Sequence, residues 1–344
     1  MKNLTAKAPR RKEVVTARQS LDFAFSAAPR RCGSISLYCL LIFLPLISSC
    51  SRVADQKDTP VAISLLGKSY FEPERSVEAQ AKLDSNLAVA RTNWMSDPSE
   101  DSYIWYGRRL GYLSRFQEAI DIFTQGIEKY PNSAKLYRHR GHRFISIRQF
   151  DNAIKDLTAA DTLIAGFPTE VEPDGMPNKI NTPLSTTQFN ILYHLGLVYY
   201  LKGDFANAQH AYLECLKSSN NNDLLVATID WLYMTYRRQS KDLEAKFLLD
   251  NITDSIEVIE NGSYFNRCRM YQGKILPDAL LHVASDEQDA DLALATQGYG
   301  VGNWYMYNGD STKAKEVFEK VVAGKYFSAF GFIAAEAELA RWEK

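Results

Sequence analysis

The 344-residue chain is 46% hydrophobic and 24% charged, with 18 Gly and 12 Pro, the make-up of an ordered polypeptide long enough for two ordinary domains or one elongated repeat array. Collagen-like and wholly disordered character are excluded, and five cysteines are too few for a disulfide scaffold. The net charge of −1 conceals an asymmetry: residues 1–49 carry eight Lys/Arg and two Asp/Glu, which leaves 32 basic and 39 acidic residues, or −7, for the remainder and no general electrostatic case for nucleic acid.

Arg30 and Arg31 precede an apolar run from Ile35 to Ile47, 13 residues long, which is too short to cross a hydrocarbon core that needs about 20. The run ends in Ile47-Ser48-Ser49-Cys50, an aliphatic residue, two small residues and a cysteine. This resembles the bacterial lipobox. The resemblance implies a signal peptide over 1–49, cleavage before Cys50, lipidation of that thiol and a membrane anchor, and Ser51 at the next position implies outer-membrane sorting toward the periplasm. About 30 residues before the apolar run is long for such a signal, which points to a start downstream of Met1. Residues 50–60 are polar and irregular, as a flexible tether should be. Cys215 and Cys268 fall in apolar helical patterns and are read as buried free thiols.

The body, 61–344, repeats. Tyr103, Gly107, Phe116, Ala119 and Phe123 recur 34 residues later as Tyr137, Gly141, Phe150, Ala153 and Leu157, and Leu195, Gly196, Tyr199, Gly203, Phe205, Ala208 and Tyr212 form a third copy. Weaker copies run over 229–252 and 298–321, and 264–281 reads as a degenerate hairpin broken near Pro277. Val77 to Trp94 is a leading helix and Ala329 to Trp342 an amphipathic helix able to cap the array. No strand pattern is of comparable strength. The repeat resembles the tetratricopeptide repeat (TPR), which implies an all-α, right-handed superhelical solenoid of about five or six helix hairpins with a C-terminal capping helix. Between Gly141 and Gly196 the spacing stretches by 21 residues, and this insert, 166–187, is rich in Pro and acids, so it is either a surface excursion or a lid with Glu170, Glu172 and Asp174 facing basic groove residues.

In the TPR architecture the first helix of each unit lines a concave surface. Carried onto this sequence, that implies a groove formed by Trp105, Arg108, Tyr112, Arg138, His139, His142, Tyr193, His194, Tyr200, Trp231, Arg237 and Arg238. Arg forks bind carboxylates with two parallel hydrogen bonds, and aromatic faces stack on peptide planes or sugar rings, so the groove suits an acidic or carboxylate-bearing extended peptide. The carboxylate clamp of chaperone-binding TPR domains is absent, because Ile104, Arg108, His139, Asn190 and His194 stand where its Lys and Asn residues belong.

Catalytic signals are weak. Three histidines on neighbouring helices, His139, His142 and His194, are zinc-ligand types, but no H-E-x-x-H or fixed carboxylate accompanies them, and a recognition role fits better. Gly298-Tyr299-Gly300-Val301-Gly302 lacks the strand and Lys-Ser/Thr of a phosphate loop, and no nucleophile motif occurs. The expectation is a non-enzymatic, cofactor-free lipoprotein scaffold or adaptor that binds a protein or peptide in the cell envelope. A glycan-binding lipoprotein using Trp105, Trp231, Tyr193 and Tyr200 as platforms is the alternative, and a groove-based enzyme a third.

Overall fold

The computed structural model describes residues 59–282 and 290–343. The signal segment, Cys50 and nearly all of the tether lie outside them. The body opens on a two-stranded antiparallel hairpin, β1 (Ala62–Ile63) and β2 (Ser69–Tyr70), with Ala62 opposite Tyr70. Strands of two residues are too short to show alternation, so the sequence did not announce them.

Helix α1 (Val77–Ser96) starts at Ser76, whose side chain accepts from the Ala79 N–H, and it packs on α2. Four helix pairs follow: α2 (Glu100–Tyr112) with α3 (Phe116–Lys129), α4 (Ala134–Ser146) with α5 (Phe150–Ile164), α6 (Thr187–Lys202) with α7 (Phe205–Lys217), and α8 (Asn222–Arg238) with α9 (Asp242–Leu248). The degenerate unit is α10 (Gly262–Tyr271) followed by a 3₁₀ turn at Pro277–Leu281. Helices α11 (Ala290–Tyr307) and α12 (Ser311–Val322) form the last pair, and α13 (Phe330–Trp342) ends the fold. Successive helices pack on one another except at α9, beyond which α10 packs back on α8, so the apolar stripe of each hairpin is buried by its neighbours.

Two local devices recur. Within a pair, the helices touch where a glycine faces a large side chain: a Cβ on Gly107 would stand 2.4 Å from the Phe123 ring, and one on Gly196 would stand 2.7 Å from Tyr212. Between the two helices of each pair, one residue takes left-handed φ: Ser114 (63°), Arg148 (64°), Gly203 (81°), Ser240 (57°) and Gly309 (94°). The N–H of the following residue then bonds back five positions, as Asp204 does to the Tyr199 carbonyl at 2.9 Å and Lys241 to Tyr236 at 3.0 Å, the Schellman closure that satisfies the otherwise orphaned last carbonyls.

One expectation is corrected. Helix α13 closes the array on α11 and α12 but is not an amphipathic helix with a solvated face, because Gly331 through Leu339 are all buried. It packs on α11 and α12 as a next repeat would, and its side chains also reach earlier units. Glu336 pairs with Arg148 at 2.9 Å, Glu338 with Arg238 at 2.5 Å, Arg341 donates to the Leu201 carbonyl at 2.8 Å, and Phe330 meets the rings of His142 and His194. The opening hairpin joins the same helix, since Tyr70 Oη and the Leu65 N–H both donate to Glu336. An amphipathic pattern could not reveal this, because the partners that cover the polar face of α13 lie far away in sequence.

Candidate ligand-recognition face

Five of the twelve predicted groove residues are enclosed or ion-paired within the array. Tyr200 and Trp231 are fully buried and form an aromatic cluster with Tyr212 and Tyr299, in which Tyr299 Oη donates to Tyr200 Oη at 2.8 Å. They present no face to a ligand. Arg238 is engaged by Glu338 and lies over Phe205, while Arg237 pairs with Asp242 at 2.8 Å and lies over Tyr307. Tyr193 is enclosed as well, its hydroxyl against that of Tyr264 at 3.2 Å. Beneath them Arg267 and Asp230, both wholly buried, pair at 2.8 Å with Tyr271 Oη donating to the same carboxylate. Tyr193, Tyr200 and Trp231 are core, and the reading of them as groove contacts is corrected, whereas Arg237 and Arg238 are half-buried and held in ion pairs.

Arg108, Tyr112, Arg138 and His139 meet the insert. Residues 166–187 run back along the inner ends of α2, α4 and α6 as an extended strap, closed on itself by the Glu172 N–H to Ser185 and the Thr187 N–H to Glu170. Glu172 is buried and points inward: Arg138 Nη2 lies 3.1 Å from one carboxylate oxygen, and Asn190 Nδ2 donates to the other at 3.1 Å. Arg108 and Arg109 donate to the strap carbonyls of Pro173 and Gly175, each at 2.9 Å, and Lys135 pairs with Glu170 at 2.6 Å. Asn178 ties the far end to Glu260. The strap therefore lies on the basic face as a lid does, and Arg138, His139 and His194 are buried beneath it and α13.

The three histidines are held neutral. Arg138 Nη1 donates to His139 Nδ1 at 2.8 Å, which makes that nitrogen an acceptor, and the ring stacks on Phe123. His194 Nδ1 sits 2.5 Å from the Asn190 carbonyl and so carries the proton, leaving Nε2 unprotonated. Burial, reinforced by Arg138, pushes the His194 pKa down to about 3. Burial likewise takes His139 well below its usual range, helped by Arg138, and His142, helped by Arg143. Among the described residues no group of three His, Cys, Asp or Glu side chains is placed to hold a metal.

Two residues that the sequence reading missed belong here. Arg143 lines the same cavity as Arg108, Arg138 and His142, and Arg109 braces the strap. Arg143 lies four residues after His139, which was a usable helical-face signal. Toward the chain's start, Trp105 stays partly exposed, with the Arg108 and Arg109 guanidiniums over its ring at 4.5 and 5.0 Å. It opens onto a cleft of about 550 Å³ between α1 and α2, lined also by Asn86, Val89, Asn93 and Arg109.

Residues 189–222, which span α6 and α7, match the tetratricopeptide-repeat family model. The fold is an all-α tetratricopeptide-repeat solenoid. Similar solved structures include YrrB, described as a TPR protein with an unusual peptide-binding site, at 15% identity over 73% of this chain and 97% of that one, with a TM-score of 0.38. A tetratricopeptide repeat protein from Parabacteroides merdae is 12% identical over 75% of this chain and 94% of its own, TM-score 0.42. The P58(IPK) TPR domain is 15% identical over 77% and 76%, TM-score 0.27. No curated protein matches the chain.

Proposed function

We propose that this protein is a non-enzymatic scaffold, anchored through lipidated Cys50 to a bacterial membrane and facing the periplasm, that binds an extended segment of another polypeptide on the face formed by α1, α2 and α4. One observation carries the reading: the face already holds an extended acidic segment of its own chain, with Glu172 on Arg138 and Asn190 and two strap carbonyls on Arg108 and Arg109. Guanidinium forks that hold main-chain carbonyls and a carboxylate are the contacts an acidic peptide in trans requires. Trp105 and the cleft beside it extend that chemistry into open surface. The glycan reading loses its support, since three of its four platforms, Tyr193, Tyr200 and Trp231, are buried.

The test is a crosslinked capture from envelope membranes with the full chain and with Trp105→Ala/Arg109→Ala, after both are shown to have equal helical content. A partner retained by the wild type and lost by the variant supports the reading, and identical partners with both overturn it. The anchor has a separate check: Cys50→Ser should move the protein from the membrane to the soluble fraction, and retention in the membrane would contradict lipidation there.

A further inference from the structure

Under the strap lies a cavity of about 120 Å³ lined by Arg108, Arg138, Arg143, Tyr112, His142 and Glu172, among others. Its charges do not balance. Three guanidiniums line it, those of Arg108, Arg138 and Arg143, with Arg109 beside them on the strap, against two carboxylates, Glu172 in the lining and Asp174 on the strap. Among the described residues only Arg138 of the four is ion-paired, and Arg143 touches no carboxylate. Arg108 and Arg109 spend donors on the Pro173 and Gly175 carbonyls, which cancel no charge. The enclosed Nε of Arg138 meets no acceptor among the described residues, although a buried guanidinium donor ordinarily has one. Burial and the neighbouring guanidiniums of Arg138 and Arg108 pull the Arg143 pKa down to about 10, still cationic at neutral pH. Mutually repelling, partly desolvated cations with unused donors are costly unless an anion completes the site.

We propose that this cavity is a binding site for a compact oxyanion, a carboxylate or phosphate group, held by Arg143, Arg108 and the free edge of Arg138, with Tyr112 as an added donor. The inference rests on reading this face as a recognition surface and names the chemistry recognised there. The group can belong to a free small anion or to the acidic end of a partner polypeptide, and the volume admits the oxyanion head of either. Glu172 occupies one side of the site and so competes with the ligand for the same guanidiniums.

The test is calorimetric titration of the full chain with inorganic phosphate at constant chloride, alongside Arg143→Met and Glu172→Gln. Saturable binding of one equivalent is expected, weakened at least about tenfold in Arg143→Met and tightened about threefold or more in Glu172→Gln, because one change removes a charge-assisted donor and the other a competing charge. At the same chloride concentration without phosphate, Arg143→Met should melt no lower than the wild type, since it relieves repulsion among the guanidiniums. Absence of saturable binding to the wild type, or equal affinity in all three proteins, overturns the proposal. Should Arg143→Met fail to fold, the sign of the Glu172→Gln effect decides. A short peptide with a free C-terminal carboxylate, compared with its amide and competed with phosphate, separates the sources: binding of phosphate alone indicates a free anion, and binding of the carboxylate peptide indicates a partner's end. Phosphate binding with no captured protein would sink the scaffold reading and keep the pocket, whereas a captured protein indifferent to Arg143→Met, with no phosphate binding, would do the reverse.

Discussion

At the scale of single residues, the clearest consequence of the buried basic face is its response to acid. His139, His142 and His194 all titrate far below 6.5 in the folded protein, chiefly through burial, with His194 at about 3. In the unfolded chain they regain a pKa near 6.5. Because the unfolded state binds protons that the native state refuses, the stability due to each neutral histidine is complete above 6.5 and is lost as pH falls, at up to about 1.4 kcal/mol per pH unit per histidine. Urea unfolding at pH 7.5, 6.5 and 5.5 should show this decline, and His194→Gln should reduce its slope by about one proton's worth. Equal slopes for the two proteins would show that His194 is protonated when folded. These residues also mark what was legible from sequence. Helical spacing put Arg138, His139, His142 and His194 on one inner face, because that spacing is local. It could not show that Tyr200 and Trp231 are enclosed, since the side chains that cover them come from Tyr299 and Asn303 on α11, far onward in the chain.

At the scale of elements, the hairpins were readable because they carry their own instructions, a left-handed turn closing the first helix and, in all but α8–α9, a glycine facing a large side chain. The strap was readable only as an interruption, and its conformation depends on Arg108, Arg109 and Arg138, which no local pattern connects to it. Three of the five turns put a side chain where glycine is favoured. At Ser240, φ is 57°, the residue is exposed and its hydroxyl makes no hydrogen bond among the described residues, so nothing offsets the steric cost of the left-handed region. That cost is about 1–2 kcal/mol, reduced by the greater entropy that glycine gives the unfolded chain. Ser240→Gly should therefore stabilise the protein by about 0.5–1 kcal/mol, read as a raised urea midpoint with unchanged m-value. An unchanged or lowered midpoint would mean that the turn is not strained. Arg148 has the same backbone and a reason to keep it, because its guanidinium donates to Glu336 and to the Phe327 carbonyl.

At the scale of the whole body, that Arg148–Glu336 contact changes how the solenoid should unfold. Repeat arrays are ordinarily stabilised unit by unit, each contacting only its neighbours, so that terminal units fray independently. Here Glu336 on the last helix receives Arg148 from the turn between α4 and α5, Tyr70 from β2 and the Leu65 N–H from the opening hairpin, with the Glu336 side chain wholly buried. The first strands, a middle turn and the last helix thus share one carboxylate, and the array gains long-range contacts that a nearest-neighbour description lacks. Removing one partner of a buried ion pair leaves an uncompensated charge, at a cost of about 3–5 kcal/mol. Glu336→Ala strands the buried Arg148 guanidinium and releases Tyr70, so it should lower stability by that order. Its signature should be spread: hydrogen exchange should accelerate together in the β1–β2 hairpin, in α4 and in α13, far apart in sequence, while the wild type unfolds in a single transition by tryptophan fluorescence and helical signal alike. If exchange rises only in α13, the helix is a dispensable terminal unit after all, and the inner face it covers could be opened by fraying alone.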